Sequence, residues 1–140
     1  MLLSNHFTLS EFTASETADK LGIDNSLCVV YDAYIVSNLE SLCRFTLEPI
    51  RNFLGCPVRV SSGYRCERLN MEVGGSPTSD HCNGLAADIY FDDFENRWYE
   101  VVIFMLIMAI PFDQLIVYNN FLHIGVGSAM RRRVLDYRKK

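Results

Sequence analysis

Asp88 restricts the fold of this chain more than any other residue. It sits in Leu85-Ala86-Ala87-Asp88-Ile89-Tyr90-Phe91, an apolar stretch that reads as a β-strand. Leu85, Ala87, Ile89 and Phe91 share one face of that strand, and Ala86, Asp88 and Tyr90 the other. A lone carboxylate buried there is costly unless it is paired or bound to a metal. His81 lies upstream at the mouth of a loop, and Gly84 lets that loop turn tightly toward the strand. His123, in the apolar run Phe121–Val126, offers a second imidazole. Two imidazoles and one carboxylate can hold a zinc ion and leave its fourth position open to water, as catalytic rather than structural sites do. The three side chains converge only if the strands bearing Asp88 and His123 are neighbours. The bland alternative is a metal-free domain in which His81 and Asp88 merely hydrogen-bond. His6 is isolated near the start and is given no role.

The surrounding sequence predicts an α+β domain, with helices first and then a small, mainly antiparallel sheet with one more packing helix. Thr8 and Glu11 resemble a capping box. Ser15–Leu21, closed by Gly22, reads as a second short helix. Helical apolar spacing runs from Ser26 to about Leu54, with Asp24 or Asn25 as its cap, and Pro49 should kink or divide it. Val58–Ser61 alternates as a strand, Ser62–Arg65 as a turn, and Cys66–Val73 as a short helix. Ser76–Asn83 reads as a loop. Asp92 or Asp93 can cap a helix through Ala109, ended by Pro111. Asp113–Tyr118 and Phe121–Val126 form two strands around an Asn119-Asn120 hairpin turn.

A chain of 140 residues that is 49% hydrophobic is most simply one domain with a real core. The net charge of −4 gives a nucleic-acid partner no support. The basic residues of segment 127–140 read as a solvated tail. Five cysteines without a CxxC pair suggest neither a disulfide framework nor a zinc finger. Most look like small buried hydrophobes of a reducing compartment, and Cys82 is not taken as a ligand. The start lacks a basic segment followed by an apolar one, so no secretory signal is expected. The run Val101–Ile110 is too short to span a bilayer, so stable membrane insertion is not expected. The expectation is a monomer made in the cytoplasm. An action in the periplasm or at the cell wall would need release in a phage lysis event or delivery by a virion.

Ser79-x-His81-x-x-Gly84-x-Ala86-x-Asp88, followed by an apolar-His-Ile-Gly strand at His123, resembles the zinc D-Ala-D-Ala carboxypeptidase family. That family shares its fold with the hedgehog signalling domain and several phage endolysins. Ser61-Ser62-Gly63-Tyr64-Arg65, Asn70, Gly74-Gly75 and Phe112–Ile116 match in the family's order, so the resemblance covers about residues 39–126. It implies a small phage-type member of the hedgehog/DD-peptidase fold, with His81, Asp88 and His123 as zinc ligands. It also implies that Arg65 binds a substrate carboxylate or polarises the scissile carbonyl. Ser79 would hydrogen-bond substrate or shape its loop. The implied substrate is a peptidoglycan stem peptide, cut as a D,D-carboxypeptidase or as an endopeptidase.

One departure bears on chemistry. Hydrolysis needs a base to take a proton from water. Relatives commonly carry Asp or Glu three residues before the last histidine, where this chain has Asn120, which cannot accept a proton at neutral pH. Others carry Glu near the end of the preceding strand, where Tyr118 stands. Tyr118 can donate a hydrogen bond to an oxyanion but is a poor base. Asp80 is a conceivable substitute base. The second class of function is therefore a zinc-binding module that holds cell-wall peptide or a protein partner without cleaving it.

Overall fold

The computed structural model describes residues 1–140 as an α+β fold on a five-stranded sheet. The strands are β1 (Val58–Ser62), β2 (Ala86–Phe91), β3 (Gln114–Val117), β4 (Leu122–Gly125) and β5 (Arg133–Asp136), in the spatial order β1-β2-β4-β3-β5. All neighbours pair antiparallel except β3 and β5, which are parallel. The helices are α1 (Leu9–Thr13), α2 (Glu16–Leu21), α3 (Ala33–Leu42), α4 (Glu48–Leu54), α5 (Glu67–Glu72) and α6 (Phe94–Ile107). None is long and apolar enough to cross a membrane.

Alternation along the strands assigns the two faces of the sheet. Ala87, Ile89, Leu115, Val117, Leu122 and Ile124 are all buried against the helices. They join Val36, Leu39 and Leu42 of α3, Ile50 and Leu54 of α4, and Val101 and Met105 of α6 in one hydrophobic cluster. On the opposite face one transverse row runs through Asp88. Ser62 pairs with Asp88, Asp88 with His123, and His123 with Ile116.

The short helices begin and end where their caps predict. The Thr8 N–H donates to the Glu11 carboxylate at 2.9 Å, and Gly22 and Gly55 close α2 and α4 in the left-handed region. Two expectations are corrected. Helix does not begin at Ser26, and Asn25 caps nothing. Its side-chain amide instead bonds Thr13 O, Tyr64 O and Cys66 N, tying three segments together. Those buried tertiary bonds outweigh the local helical spacing of residues 26–32. Pro49 divides the helix as predicted, but through a π-helical stretch, Cys43–Leu47, which leads into α4 with proline in its first turn.

The 127–140 segment is not wholly a solvated tail. Its β5 pairs with β3, and Arg133 N–H donates to Asp113 O at 2.9 Å. Arg132 stacks over the Phe112 ring at 4.3 Å and donates to the carbonyls of Met105, in the last turn of α6, and Ile110, just beyond it. Charge composition alone does not show that these arginines have carbonyl and aromatic partners. The expected burial of the cysteines is also corrected: only Cys43 is fully buried, Cys56, Cys66 and Cys82 are partly so, and Cys28 is exposed.

Candidate metal centre

His81, Asp88 and His123 come together on the exposed side of the sheet, with one ligand atom of each within 4.8 Å of the others. His123 Nδ1 is 2.9 Å from Asp88 Oδ1, and His81 Nε2 is 3.4 Å from the same oxygen. Strand pairing produces the first contact, because Asp88 and His123 are directly opposed in the β2–β4 register. His81 arrives from a separate 3₁₀ turn, Asp80–Asn83. Ser79 caps that turn by accepting the His81 N–H at 3.2 Å, and Gly84 ends it in the left-handed region at φ 71°.

The His81 ring is oriented by its other nitrogen. Nδ1 contacts the Gly63 carbonyl at 2.6 Å, which makes Nδ1 the donor and leaves the Nε2 lone pair for a metal. Gly63 is glycine because a Cβ there would lie 2.6–2.7 Å from Phe12 of α1. The amino-terminal helix thus packs directly behind the carbonyl that sets the ring. Burial pushes the Asp88 carboxyl up, but hydrogen bonds and charge from His123 and His81 together hold it well below the ordinary carboxylate range. An ionised carboxylate with two imidazole nitrogens converging on it is a donor set that fits zinc.

The triad forms the floor of a cleft of about 700 Å³. Arg65 lies on one wall, its Nη2 3.8 Å from Asp88 Oδ2. Ser79, Asp80 and Tyr118 also line the cleft. Asn120 does not: it is exposed at the hairpin tip and faces a different depression, beside Trp98 and Lys139. Side chains of Gln114, Ile116 and Tyr118 alternate onto the cleft face of β3 and its extension, whereas Asn120 belongs to the turn, where strand alternation stops.

Asp80 is half-buried and its carboxylate makes no hydrogen bond within the chain. Its Oδ2 lies 3.2 Å from where a Cβ on Gly125 would be, and His123 Nε2 lies 3.6 Å from that same point. Burial and the nearby Asp113 push the Asp80 carboxyl up, against opposing pulls from His123, His81 and Arg131. Burial also raises the Tyr118 hydroxyl, with help from Asp88, so it stays protonated and keeps a proton to donate. Sequence reasoning overlooked Asp113 and Arg131 at the cleft rim. The Asp113 carboxylate, almost wholly buried, accepts the Arg131 backbone N–H at 2.7 Å and its guanidinium at 2.9 and 3.1 Å. No local signal marks that pair, because its partners lie 18 residues apart on either side of β4.

A search of curated proteins finds no match. A family model described as peptidase M15 does match, across residues 5–125. That span contains all three candidate ligands and both cleft walls up to β4, and it takes in the amino-terminal helices that support Gly63. With most of its length matched, the chain belongs to the peptidase M15 family.

Proposed function

We propose that this protein is a zinc peptidase that hydrolyses amide bonds in peptidoglycan stem peptides, in the manner of a small phage lysin. The observation carrying this reading is the convergence of His81, Asp88 and His123 on the floor of an open cleft that also holds Arg65 and an unpaired Asp80. Zinc held by the triad would supply a Lewis acid for the scissile carbonyl and lower the pKa of water. Arg65 would bind the substrate's carboxylate or its carbonyl oxygen. Asp80 takes the role of base: its carboxylate has no internal partner and its affinity for a proton is raised. Tyr118 would donate a hydrogen bond to the developing oxyanion. Ser79, whose oxygen is used in capping, keeps its hydroxyl proton for a substrate carbonyl. D,D-carboxypeptidase and endopeptidase action use the same groups and differ in how far the peptide extends along the cleft.

A second reading is a peptide-binding module that holds zinc without cleaving. Tyr118 favours it, since the cleft carries a phenol where relatives supply a glutamate. One experiment separates the two. Zinc-loaded protein is incubated with purified peptidoglycan, with and without chelator, and released fragments are weighed by mass spectrometry. New stem-peptide fragments that vanish with chelator establish the peptidase, and their masses name the bond. Asp80→Asn should then lower the rate by about 100-fold while zinc stays bound. Zinc-replete protein that releases nothing would leave the binding module.

A further inference from the structure

We propose that Asn70 is a positioning residue for Arg65, and that its neutrality leaves the guanidinium charge free to meet substrate. This rests on the peptidase reading for what Arg65 meets, but the positioning itself stands on the geometry. Asn70 is a buried polar residue of α5, 3% exposed, outside the ligand set. Its Oδ1 accepts from Arg65 Nη1 at 3.0 Å, while its Nδ2 donates to the Ser76 carbonyl at 2.8 Å. The second bond fixes which end of the amide faces Arg65. On the other side of the guanidinium, Nε donates to Ser62 Oγ at 3.2 Å. The Arg65 backbone N–H donates to the His81 carbonyl at 3.2 Å, which links the arginine directly to a residue of the candidate triad.

Gly75 completes the arrangement. Its N–H donates to Asn70 O at 2.9 Å, and a Cβ on it would overlap Asn70 Oδ1 and sit 3.0 Å from Arg65 Nη1. Only glycine lets the backbone close over this contact.

The chemical types at these positions matter. Both side chains that hydrogen-bond the guanidinium, Ser62 and Asn70, are uncharged acceptors. Asp88 stands farther off, at 3.8 Å, with its charge shared between two imidazoles. A carboxylate in place of Asn70 would grip Arg65 more strongly, but would cancel the charge that a substrate carboxylate or oxyanion needs. It would also set an oxygen against the Ser76 carbonyl. An amide holds the fork in place while three of its five N–H donors stay free of these two bonds.

The test uses the full zinc-loaded chain with Asn70→Asp and Asn70→Ala. Four quantities are read: bound zinc, kcat and KM on stem peptide, and rotation of the Arg65 guanidinium by NMR, assigned with Arg65→Lys. Asn70→Asp, which preserves volume, should keep its zinc and raise KM by about tenfold, the loss expected for one charge-assisted contact. Asn70→Ala should speed guanidinium rotation. Asn70→Asp with wild-type KM, or Asn70→Ala with guanidinium rotation as slow as wild type, overturns the proposal. Calorimetry with D-alanyl-D-alanine replaces kinetics if the wild type binds without cleaving. A wild type that does neither defeats the peptidase reading, and the NMR comparison still decides whether Asn70 positions Arg65.

Discussion

His123 and Asn120 stand three residues apart on one hairpin, yet one reaches the candidate metal centre and the other faces a separate depression. The difference lies in what fixes each backbone. His123 belongs to β4, which is paired on both sides, with β2 through Asp88 and with β3 through Ile116. A slip of one residue would turn its side chain into the core, so burial of Leu122 and Ile124 enforces the register. Asn120 lies outside the strand ladder, in a turn closed by the Tyr118 N–H to Phe121 carbonyl bond at 3.0 Å and anchored through its neighbour Asn119, whose side chain makes two bonds to the Lys139 backbone at 3.0 and 2.8 Å. A paired strand therefore delivers a ligand reliably, while a turn residue next to it carries no such guarantee.

The largest effect that would sharpen this contrast comes from the strand side. Asp88→Ala should lower zinc affinity by more than about 100-fold, beyond the loss usual for removing a residue that only supports a ligand. Metal analysis after dialysis reads it; stoichiometric zinc in the variant would show that the centre is not built on β2. Arg131→Ala comes next. It strips side-chain bonds from the buried Asp113, and should cost about 2 kcal/mol in urea unfolding. An unchanged midpoint would mean that the rim is held by β5 pairing alone.

The same pair predicts an acid dependence. Hydrogen bonds from Arg131 hold the Asp113 carboxyl below its ordinary range, so its folded pKa is the depressed one. Its contribution is fully present above the unfolded value of about 3.9 and is lost as pH falls through the lower folded value. Wild type should lose stability across that acid window more steeply than Asp113→Asn, as followed by urea midpoints between neutral and acid pH. The smallest effect belongs to the hairpin tip. Asn120→Asp should shift stability by less than about 0.5 kcal/mol and leave stem-peptide hydrolysis unchanged. A large gain in hydrolysis from that variant would place the turn in the cleft after all and break the comparison.

Much of the fold was legible where local rules operate. Val58–Ser61, Leu85–Phe91 and the two strands around Asn119-Asn120 follow from alternation and turn chemistry, and all appear in the sheet. The helix from Asp93 also forms, though Asp93 sits at φ 59° and its side chain caps nothing. Residues 26–32 misled because helical spacing is a weak signal beside the buried bonds of Asn25. β5 was hidden because Arg131, Arg132 and Arg133 resemble a solvated charge run, and their partners lie far away in sequence.

The candidate site divides along the same line. Residue chemistry made His81, Asp88 and His123 candidates, because a carboxylate in an apolar strand demands partners, and the family resemblance singled them out over a metal-free alternative. The motif order added Arg65 and Ser79. What the sequence could not decide was which side chains share a face across strands, since register is a property of pairing and not of composition. Only the folded chain put Asp88 opposite His123, turned Tyr118 and Asp80 into the cleft, left Asn120 outside it, and set Asn70 against Arg65. Local sequence determines which groups are available, and long-range packing determines which of them meet.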